Sequence, residues 1–411
     1  MKRIIATVVS ILLCGIILAG CWSRKELTDL AFIIAVGLDK TKDGKYMMIY
    51  QVVNPGNVAG AMQRGGGSGG VPVSIYKATG NNLVEASRKT SQKVSRIPYY
   101  AHANLVVIGE EVAKEGLDGL FDAMERNSQF RATSMVVIAR HHSAEDVLKI
   151  LTPIDKISAN QIIKTLQFSE KMWGETINIH VGDIIRDLSS QGKAPVISGV
   201  GIEGNVRKGK RQLSIQASEP DARLYVDGLA MFKDGKLVGW INGEASRGVL
   251  WVLDKIKQTN ITTGWKGKKE AISYKVDRSQ TSVAAHIKNG KPSVSVHIQT
   301  EGDIGEVLVP LDLNDPKQLL MLKTAIEQAI KREVLDAVER AKEKRTDIFG
   351  FGQTVYRSYP HEWRKIAKNW NESYFPYLEV NVKVESFIRR TGLRNKPYIF
   401  QQQGGKLEWK K

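Results

Sequence analysis

The chain is poor in cysteine and in histidine. Its 411 residues contain 2 cysteines and 7 histidines. Cys14 lies within an apolar N-terminal segment, which leaves Cys21 as the one cysteine available to the rest of the chain. A disulfide framework needs paired cysteines, and a cysteine-based zinc site needs several ligands in close spacing. The sequence therefore predicts neither.

Motifs of catalytic sites are also missing. The chain has no HExxH sequence and no Walker loop, and no nucleophile, base and orienting acid can be grouped along it. A formal G-x-S-x-G surrounds Ser68, but a nucleophile elbow joins a strand to a helix, and residues 64–70 read RGGGSGG. We interpret them as a flexible loop. Adjacent His141 and His142 point apart in a strand, which argues against a metal site. We expect no enzymatic activity, no catalytic residue, no metal and no non-covalent cofactor; paired carboxylates that meet only in space stay open.

No apolar run is long enough to cross a bilayer, which takes roughly 20 residues. The uncharged run at residues 4–19 follows a basic start and has the size of a secretory signal segment. Residues 18–21, Leu-Ala-Gly-Cys, resemble a bacterial lipobox. We therefore predict a signal peptide over residues 1–20, cleavage between Gly20 and Cys21, and a diacylglyceryl thioether and an N-acyl group on Cys21. An uncleaved N-terminal anchor helix is the alternative.

Acidic residues are outnumbered by basic ones, and the formal net charge is +17. Such an excess favours an anionic partner, either nucleic acid or an anionic lipid surface. The chain has no nucleic-acid module and no arginine-rich tract with interleaved aromatic residues. We expect a membrane surface as the partner and no nucleic acid.

The predicted strands and helices indicate a multi-domain α+β protein, with mixed and antiparallel sheets and helices packed on them. After the signal peptide we expect three domains and a basic tail. The expected units are a mixed α/β domain at 21–197, a middle domain at 198–275 that the N-terminal strands can join, an α+β domain at 276–393, and the tail at 394–411.

The C-terminal domain has the clearest periodicity. Asp315 and Pro316 are typical of a helix start, and apolar residues then recur every three or four positions for some thirty residues. A hairpin over residues 282–299 and a strand near residues 378–384 show the alternation of half-buried strands. We expect an antiparallel sheet covered by one long helix.

Four stretches of the chain resemble the spore germination lipoproteins of the Ger(x)C type, the C subunits of the nutrient germinant receptors. They are GCWSRKELTDLAFIIAVGLDK (20–40), HANLVVIGEEVAKEG (102–116), GLAMFKDGKLVGWINGEASRGVLWVL (228–253) and DIFGFGQTVYRSYPHEWRKIAKNWNESYFPYLEVNVKVESFIRRTG (347–392). They occur in the family's order over nearly the whole mature chain. Ser23 stands where the family commonly has Asp, which puts the contact just after the anchor in doubt.

The resemblance implies a three-domain ectodomain, lipid-anchored on the outer face of the inner spore membrane and acting with two polytopic receptor subunits. It implies no enzymatic activity, no cofactor and a requirement in the response to small nutrients. Only Cys21 carries a chemical role. Trp22 and Glu26 match the motif beyond the anchor and are candidates for a partner or membrane contact; the alternative is an interfacial aromatic and a solvated charge. The alternative function is a lipid-anchored solute-binding protein or hydrolase.

Overall fold

The computed structural model describes residues 3–5, 27–59, 70–127 and 130–390. Nearly all of the predicted signal peptide, the lipobox cysteine, almost the whole glycine-rich loop and the basic tail lie outside the described residues.

The first sheet has nine strands, in the order β3-β2-β1-β5-β6-β7-β8-β9, with β4 beside β1. The pairs β1/β5, β5/β6 and β6/β7 are parallel, whereas the hairpins at both ends of the sheet are antiparallel. Parallel neighbours need crossover connections, and the helices of this unit supply them. The strands are β1 Leu30–Lys40, β2 Tyr46–Val53, β3 Val73–Gly80, β4 Ile97–Tyr99, β5 Leu105–Gly109, β6 Met135–Ala139, β7 Val196–Gly204, β8 Ala222–Lys233 and β9 Lys236–Ile241.

Helices cover both faces of this sheet. One apolar core contains side chains of the helices at residues 83–90, 110–115, 118–125 and 181–188, and a second core on the opposite face contains side chains of the helices at residues 144–149 and 158–172. Central strands buried on both faces explain the continuous apolar runs in the sequence. The helices are α1 Pro55–Ala59, α2 Leu83–Thr90, α3 Glu110–Glu115, α4 Asp118–Glu125, α5 Ala144–Lys149, α6 Ser158–Met172, α7 Val181–Leu188 and α8 Val206–Gly209.

The second sheet has four strands, in the order β10-β11-β12-β13. Its strands are β10 Thr259–Trp265, β11 Lys268–Lys288, β12 Lys291–Val307 and β13 Glu379–Arg390. The helices of this unit are α9 Glu244–Val252, α10 Pro316–Glu343, α11 Phe351–Ser358 and α12 Pro360–Ile366. Short helical turns at Ala367–Asn369, Trp370–Tyr374 and Phe375–Tyr377 lead into β13.

The long C-terminal helix α10 is confirmed. It spans 28 residues, and the Asp315 carboxylate accepts the backbone N–H of Lys317 at its start. Its apolar stripe packs on its own domain, as the side chains of Leu322, Ile326 and Ile330 are buried in the C-terminal core.

The expected antiparallel sheet is wrong in one respect, because β13 pairs with β12 in parallel. The chain leaves β12, forms α10 and the helices after it, and returns to the same edge of the sheet. A crossover through a helix brings a strand back in the same direction as its neighbour, whereas a hairpin would reverse it.

The expected domain bounds also differ from the sheets. The bound at residues 197 and 198 falls inside β7, and the bound at residues 275 and 276 falls inside β11. Strands β7, β8 and β9, expected in a middle domain, join the first sheet, and β10 belongs to the second. The described residues form two sheets, and the division into three domains stays a prediction.

Candidate functional site

The predicted site residues Gly20, Cys21, Trp22 and Glu26 lie outside the described residues. After this gap the chain resumes with a short helical turn at Leu27–Asp29, which runs directly into β1. A cavity opens beside this turn, and Asp29 contributes to its lining. The cavity therefore lies beside the first described segment after the predicted anchor.

The cavity has a volume of about 1000 Å³ and lies between α2, the loop at residues 91–96 and α4, on one face of the first sheet. Leu38 of β1 and Met48 of β2 form part of its floor. The walls are largely apolar: they include Leu83, Val94, Leu120, Met124 and Phe130. Side chains of both α2 and α4 line this space, which they leave open.

Ser87 and Tyr100 line the cavity and are hydrogen-bonded to each other, and Tyr100 also contacts Tyr50, which is buried behind the lining. The Ser87 Oγ lies 2.8 Å from the Tyr100 hydroxyl, which donates to the Tyr50 hydroxyl at 3.0 Å. The Tyr50 hydroxyl donates in turn to the Met48 sulfur at 3.5 Å. Burial raises the pKa of Tyr50 far above its ordinary value, so this phenol is neutral. The floor offers apolar surface and no charge.

The rim of the cavity is basic. Arg88 and Arg96 are exposed, and neither makes an ion pair with a described residue, whereas Arg126 is paired with Asp122 at 2.8 Å. Asp29 is the acidic residue among those that line the cavity.

Asp347 is the first residue of the fourth family stretch. It lies at the contact between the unit of the first sheet and the unit of the second sheet, which we call the joint. Its carboxylate is fully buried and accepts five N–H groups at 2.7 to 3.2 Å: those of Phe349, Gly350, Phe351 and Gly352 from the backbone and the indole N–H of Trp370. Burial raises the pKa of Asp347 to about 6, although the N–H donors act to lower it.

The same joint reaches the N-terminal unit through residues 191–194. The backbone N–H of Ala194 donates to the Asp347 carbonyl at 2.8 Å, and the Trp363 indole N–H donates to the Gln191 side chain at 2.8 Å. Gly192 and Gly352 lie so close that a Cβ on either would meet the other's backbone below 3 Å. This stretch of the family pattern therefore connects the two units.

The third family stretch contributes a buried ion pair. Arg247 on α9 and Glu333 on α10 have side chains only 4% and 5% exposed, and the Arg247 Nε donates to Glu333 Oε2 at 3.0 Å. The Trp251 indole N–H donates to the same oxygen at 2.9 Å. Gly248 lets the helices approach, since a Cβ there would lie 2.1 Å from the Glu333 carbonyl oxygen.

The first family stretch ends in Gly37-Leu38-Asp39, and Asp39 caps a helix. Its carboxylate accepts the backbone N–H groups of Ala144 and Glu145 at 2.9 Å each, at the start of α5. Ser143 with Asp146 has the sequence pattern of a capping box, and the Ser143 side chain accepts the Asp146 backbone N–H at 3.0 Å, which confirms the cap of α5 that this pattern predicts. Ser158 with Gln161 has the same sequence pattern, but the cap it predicts is wrong, because Ser158 is the first residue of α6 and its hydroxyl donates to the Leu148 carbonyl.

The described residues contain no group of three histidine, cysteine, aspartate or glutamate side chains that could hold a metal. The acids after His142 are engaged otherwise: Glu145 is paired with Lys77 and Lys149, and Asp146 with Lys210. In this part of the chain, no helix combines the length and the apolarity that crossing a bilayer requires.

Sequence profiles of two domains match the chain. The profile described as "Spore germination protein N-terminal domain" matches residues 23–202, and "Spore germination B3/ GerAC like, C-terminal" matches residues 227–392. The expectation that the chain is not an enzyme agrees with membership of such a family.

Two curated relatives and one solved structure extend the likeness. Spore germination protein KC of Bacillus subtilis (strain 168) is 44% identical over 395 residues, which are 96% of this chain and 97% of the relative. Spore germination protein B3 of the same organism is 24% identical over 379 residues, 90% and 94% of the two chains. A crystal structure of the GerBC protein has the same fold, with a TM-score of 0.55 at 21% identity over 86% of this chain and 97% of that one. The chain belongs to the GerAC-like family of spore germination proteins.

Proposed function

We propose that this chain is the lipid-anchored subunit of a nutrient germinant receptor. In this role it is required for germination in response to small nutrients and acts by contact with the two polytopic membrane subunits of the same receptor. The observation that carries the proposal is the identity of 44% to spore germination protein KC over 96% of the chain.

The anchor is proposed from residues 18–21. A leader of signal-peptide size followed by Leu-Ala-Gly-Cys supports cleavage before Cys21 and acylation of its sulfur and its new amino group. Each buried CH₂ of an acyl chain contributes about 0.8 kcal/mol, and two or more chains give stable residence on a membrane. The chain would then lie on the outer face of the inner spore membrane, with Trp22 and Glu26 next to the headgroups or a partner.

The architecture favours an interaction protein over a solute-binding protein or a hydrolase. A solute-binding protein of the usual kind has two doubly wound lobes, whereas here one nine-stranded sheet adjoins a four-stranded sheet. A hydrolase needs convergent polar groups in its pocket, whereas the walls of the cavity are largely apolar and the Tyr100 phenol that lines it is hydrogen-bonded to Tyr50.

The anchoring is tested with Cys21→Ala, and Cys14→Ala within the leader is the matched control. The Cys21→Ala protein is expected to leave the membrane fraction and to lack the mass of the lipid, while the Cys14→Ala protein keeps both. A Cys21→Ala protein that stays with the membrane and shows no loss of lipid mass contradicts the anchor.

The receptor role is tested by nutrient-by-nutrient germination of a deletion strain. We expect loss of the response to at least one nutrient mixture, its restoration by the wild-type chain, and weaker restoration by Cys21→Ala. Normal germination in every mixture, in a strain that also lacks its paralogues, would count against the receptor assignment.

A further inference from the structure

The cavity beside residues 27–29 is unusual in joining an apolar interior to a rim with two arginines that no described residue neutralises. We propose that it binds one phospholipid with an anionic headgroup, drawn from the membrane that carries the chain. The acyl chains occupy the space between α2 and α4, and the phosphate lies at the rim.

The interior of the cavity fits hydrocarbon better than a polar nutrient. Its volume of about 1000 Å³ is at the upper end of the range of roughly 300 to 1,000 Å³ found for small-molecule pockets. The hydroxyls of Ser87, Tyr100 and Tyr50 already satisfy each other. Beside these hydroxyls and the apolar walls, a sugar or a zwitterionic amino acid would lose its water without gaining partners for its polar groups, whereas acyl chains would gain apolar contacts.

The rim fits a phosphate group. Arg88 on α2 and Arg96 at the end of the following loop both line the cavity and are exposed, and a guanidinium binds phosphate oxygens through two parallel N–H donors. Arg126 is already paired with Asp122. Asp29 is the acidic residue of the lining and carries one negative charge, so the rim keeps an excess of positive charge.

The position of the cavity favours a lipid as the ligand. Val84 and Ile97 line the cavity with side chains 63% and 47% exposed, next to the two arginines. Exposed apolar residues flanked by arginines are typical of surfaces that lie in the headgroup region of a bilayer. A fully extended chain spans about 3.5 Å per residue, so Cys21 can be at most roughly 28 Å from Asp29. The distance to Cys21 supports a lipid ligand only if Cys21 carries the proposed anchor, whereas the apolar interior and the basic rim do not depend on the anchor.

The test uses the mature chain from residue 21 with Cys21→Ala, which removes the covalent lipid as a competing source of acyl chains. Dihexanoyl phosphatidylglycerol below its micelle concentration is titrated in a calorimeter, with dihexanoyl phosphatidylcholine, glycerol 3-phosphate, glucose and alanine as the other probes. We expect saturable one-to-one binding of the phosphatidylglycerol, at least tenfold weaker binding of the phosphatidylcholine and no binding of the other probes.

Variants locate the binding. The double variant Arg88→Gln with Arg96→Gln is expected to weaken binding at least tenfold, and Ala123→Trp, which fills the cavity from α4, to abolish it. Arg332→Gln with Arg364→Gln removes two exposed arginines of the C-terminal unit and is expected to leave binding unchanged. Circular dichroism melting of each variant establishes that it is folded.

Three results would overturn the proposal: no saturable binding of phosphatidylglycerol, binding that a folded Ala123→Trp chain retains, or equal loss in the two double-arginine variants. Glycerol 3-phosphate binding as tight as that of the lipid would show a plain anion site, and saturable glucose or alanine binding would show a nutrient pocket; either would also refute it. Because Cys21 is replaced in every variant, a negative binding result does not bear on the proposed anchor or on the receptor role, which have their own tests.

Discussion

Replacing Asp347 with asparagine tests how the joint between the two units is held. The substitution keeps the size of the side chain but removes its charge and one of its two acceptor oxygens. Asp347 is 1% exposed and accepts five N–H groups, among them the indole N–H of Trp370. Burial disfavours the charged carboxylate more than these donors favour it, and the pKa is about 6 instead of the ordinary 3.8.

A raised pKa has a defined consequence for stability. Between the two pKa values the folded protein holds a proton at Asp347 that the unfolded chain has lost, so the free energy of unfolding falls as the pH rises. Protonation of Asp347 stabilises the folded protein fully at pH values below the pKa of this residue in the unfolded chain. The stabilisation is lost as the pH rises through the pKa of Asp347 in the folded protein. The shift from 3.8 to about 6 corresponds to about 3 kcal/mol. The amide of the Asp347→Asn variant cannot titrate, so the variant lacks this contribution to the pH dependence.

The measurement is urea unfolding of wild type and Asp347→Asn at several pH values, followed by tryptophan fluorescence, which Trp370 can report because it donates directly to the carboxylate. The stability of wild type relative to the variant is expected to fall by about 3 kcal/mol between about pH 3 and pH 7. Asp336→Asn is the control, since this exposed residue forms an ion pair with Arg340 worth about 0.3 to 0.5 kcal/mol.

A relative stability that stays flat across this pH range would refute the reasoning. A rise with pH would refute it more strongly, because the five N–H donors would then outweigh burial and hold the pKa below its ordinary value.

Two further predictions concern the contact between α9 and α10. Arg247→Ala leaves the Glu333 carboxylate buried without its cation and is expected to lower the free energy of unfolding by about 3 to 5 kcal/mol. The double variant Arg247→Met with Glu333→Leu should recover most of that loss, and equal unfolding midpoints for single and double variants would contradict this. Gly248→Ala places a Cβ 2.1 Å from the Glu333 carbonyl oxygen and should destabilise strongly in thermal unfolding. Gly119→Ala on α4 meets nothing within 4 Å and should be neutral or stabilising by up to about 1 kcal/mol, and a loss as large as at Gly248 would contradict the close-packing argument.

Local patterns predicted single elements well. The Asp315 cap and the spacing of Leu322, Ile326 and Ile330 lie within one helix, and both are confirmed. The Ser158 cap failed because its hydroxyl and the Gln51 side chain meet across the buried face of the first sheet. A partner 107 positions away in the sequence leaves no local trace.

Pairing between distant strands was the weakest part of the prediction. Alternation along β13 shows that it is half buried, but the same alternation fits a parallel and an antiparallel neighbour. The direction was decided by the helices that precede the strand, which return the chain to the edge of β12. In the same way, β7 and β8 read as ordinary strands, while their membership of the first sheet depends on the parallel contact between β6 and β7.

The cavity could not have been predicted from the sequence. Its walls come from α2, the loop at residues 91–96, β4 and α4, which are separate in the chain and meet only over the first sheet. Arg88 and Arg96 belong to no sequence motif, and scattered basic residues of this kind are usually solvated. Only the packing shows that they share one rim.

The stretches that identify the family and the segments that form the cavity are largely different. Gly37, Asp39, Gly248 and Asp347 lie in the family stretches, and each fills a structural need: close packing, a helix cap or a buried nest of N–H donors. Most of the cavity lining lies between residues 83 and 100 or between residues 120 and 130, outside those stretches. Because residues of the family stretches fix the fold, the residues that line the cavity can differ between relatives. We therefore expect relatives with this fold to share Asp39, Gly248 and Asp347 and the contacts that these residues make, while the size and charge of the cavity change with the lipid or partner that each one meets.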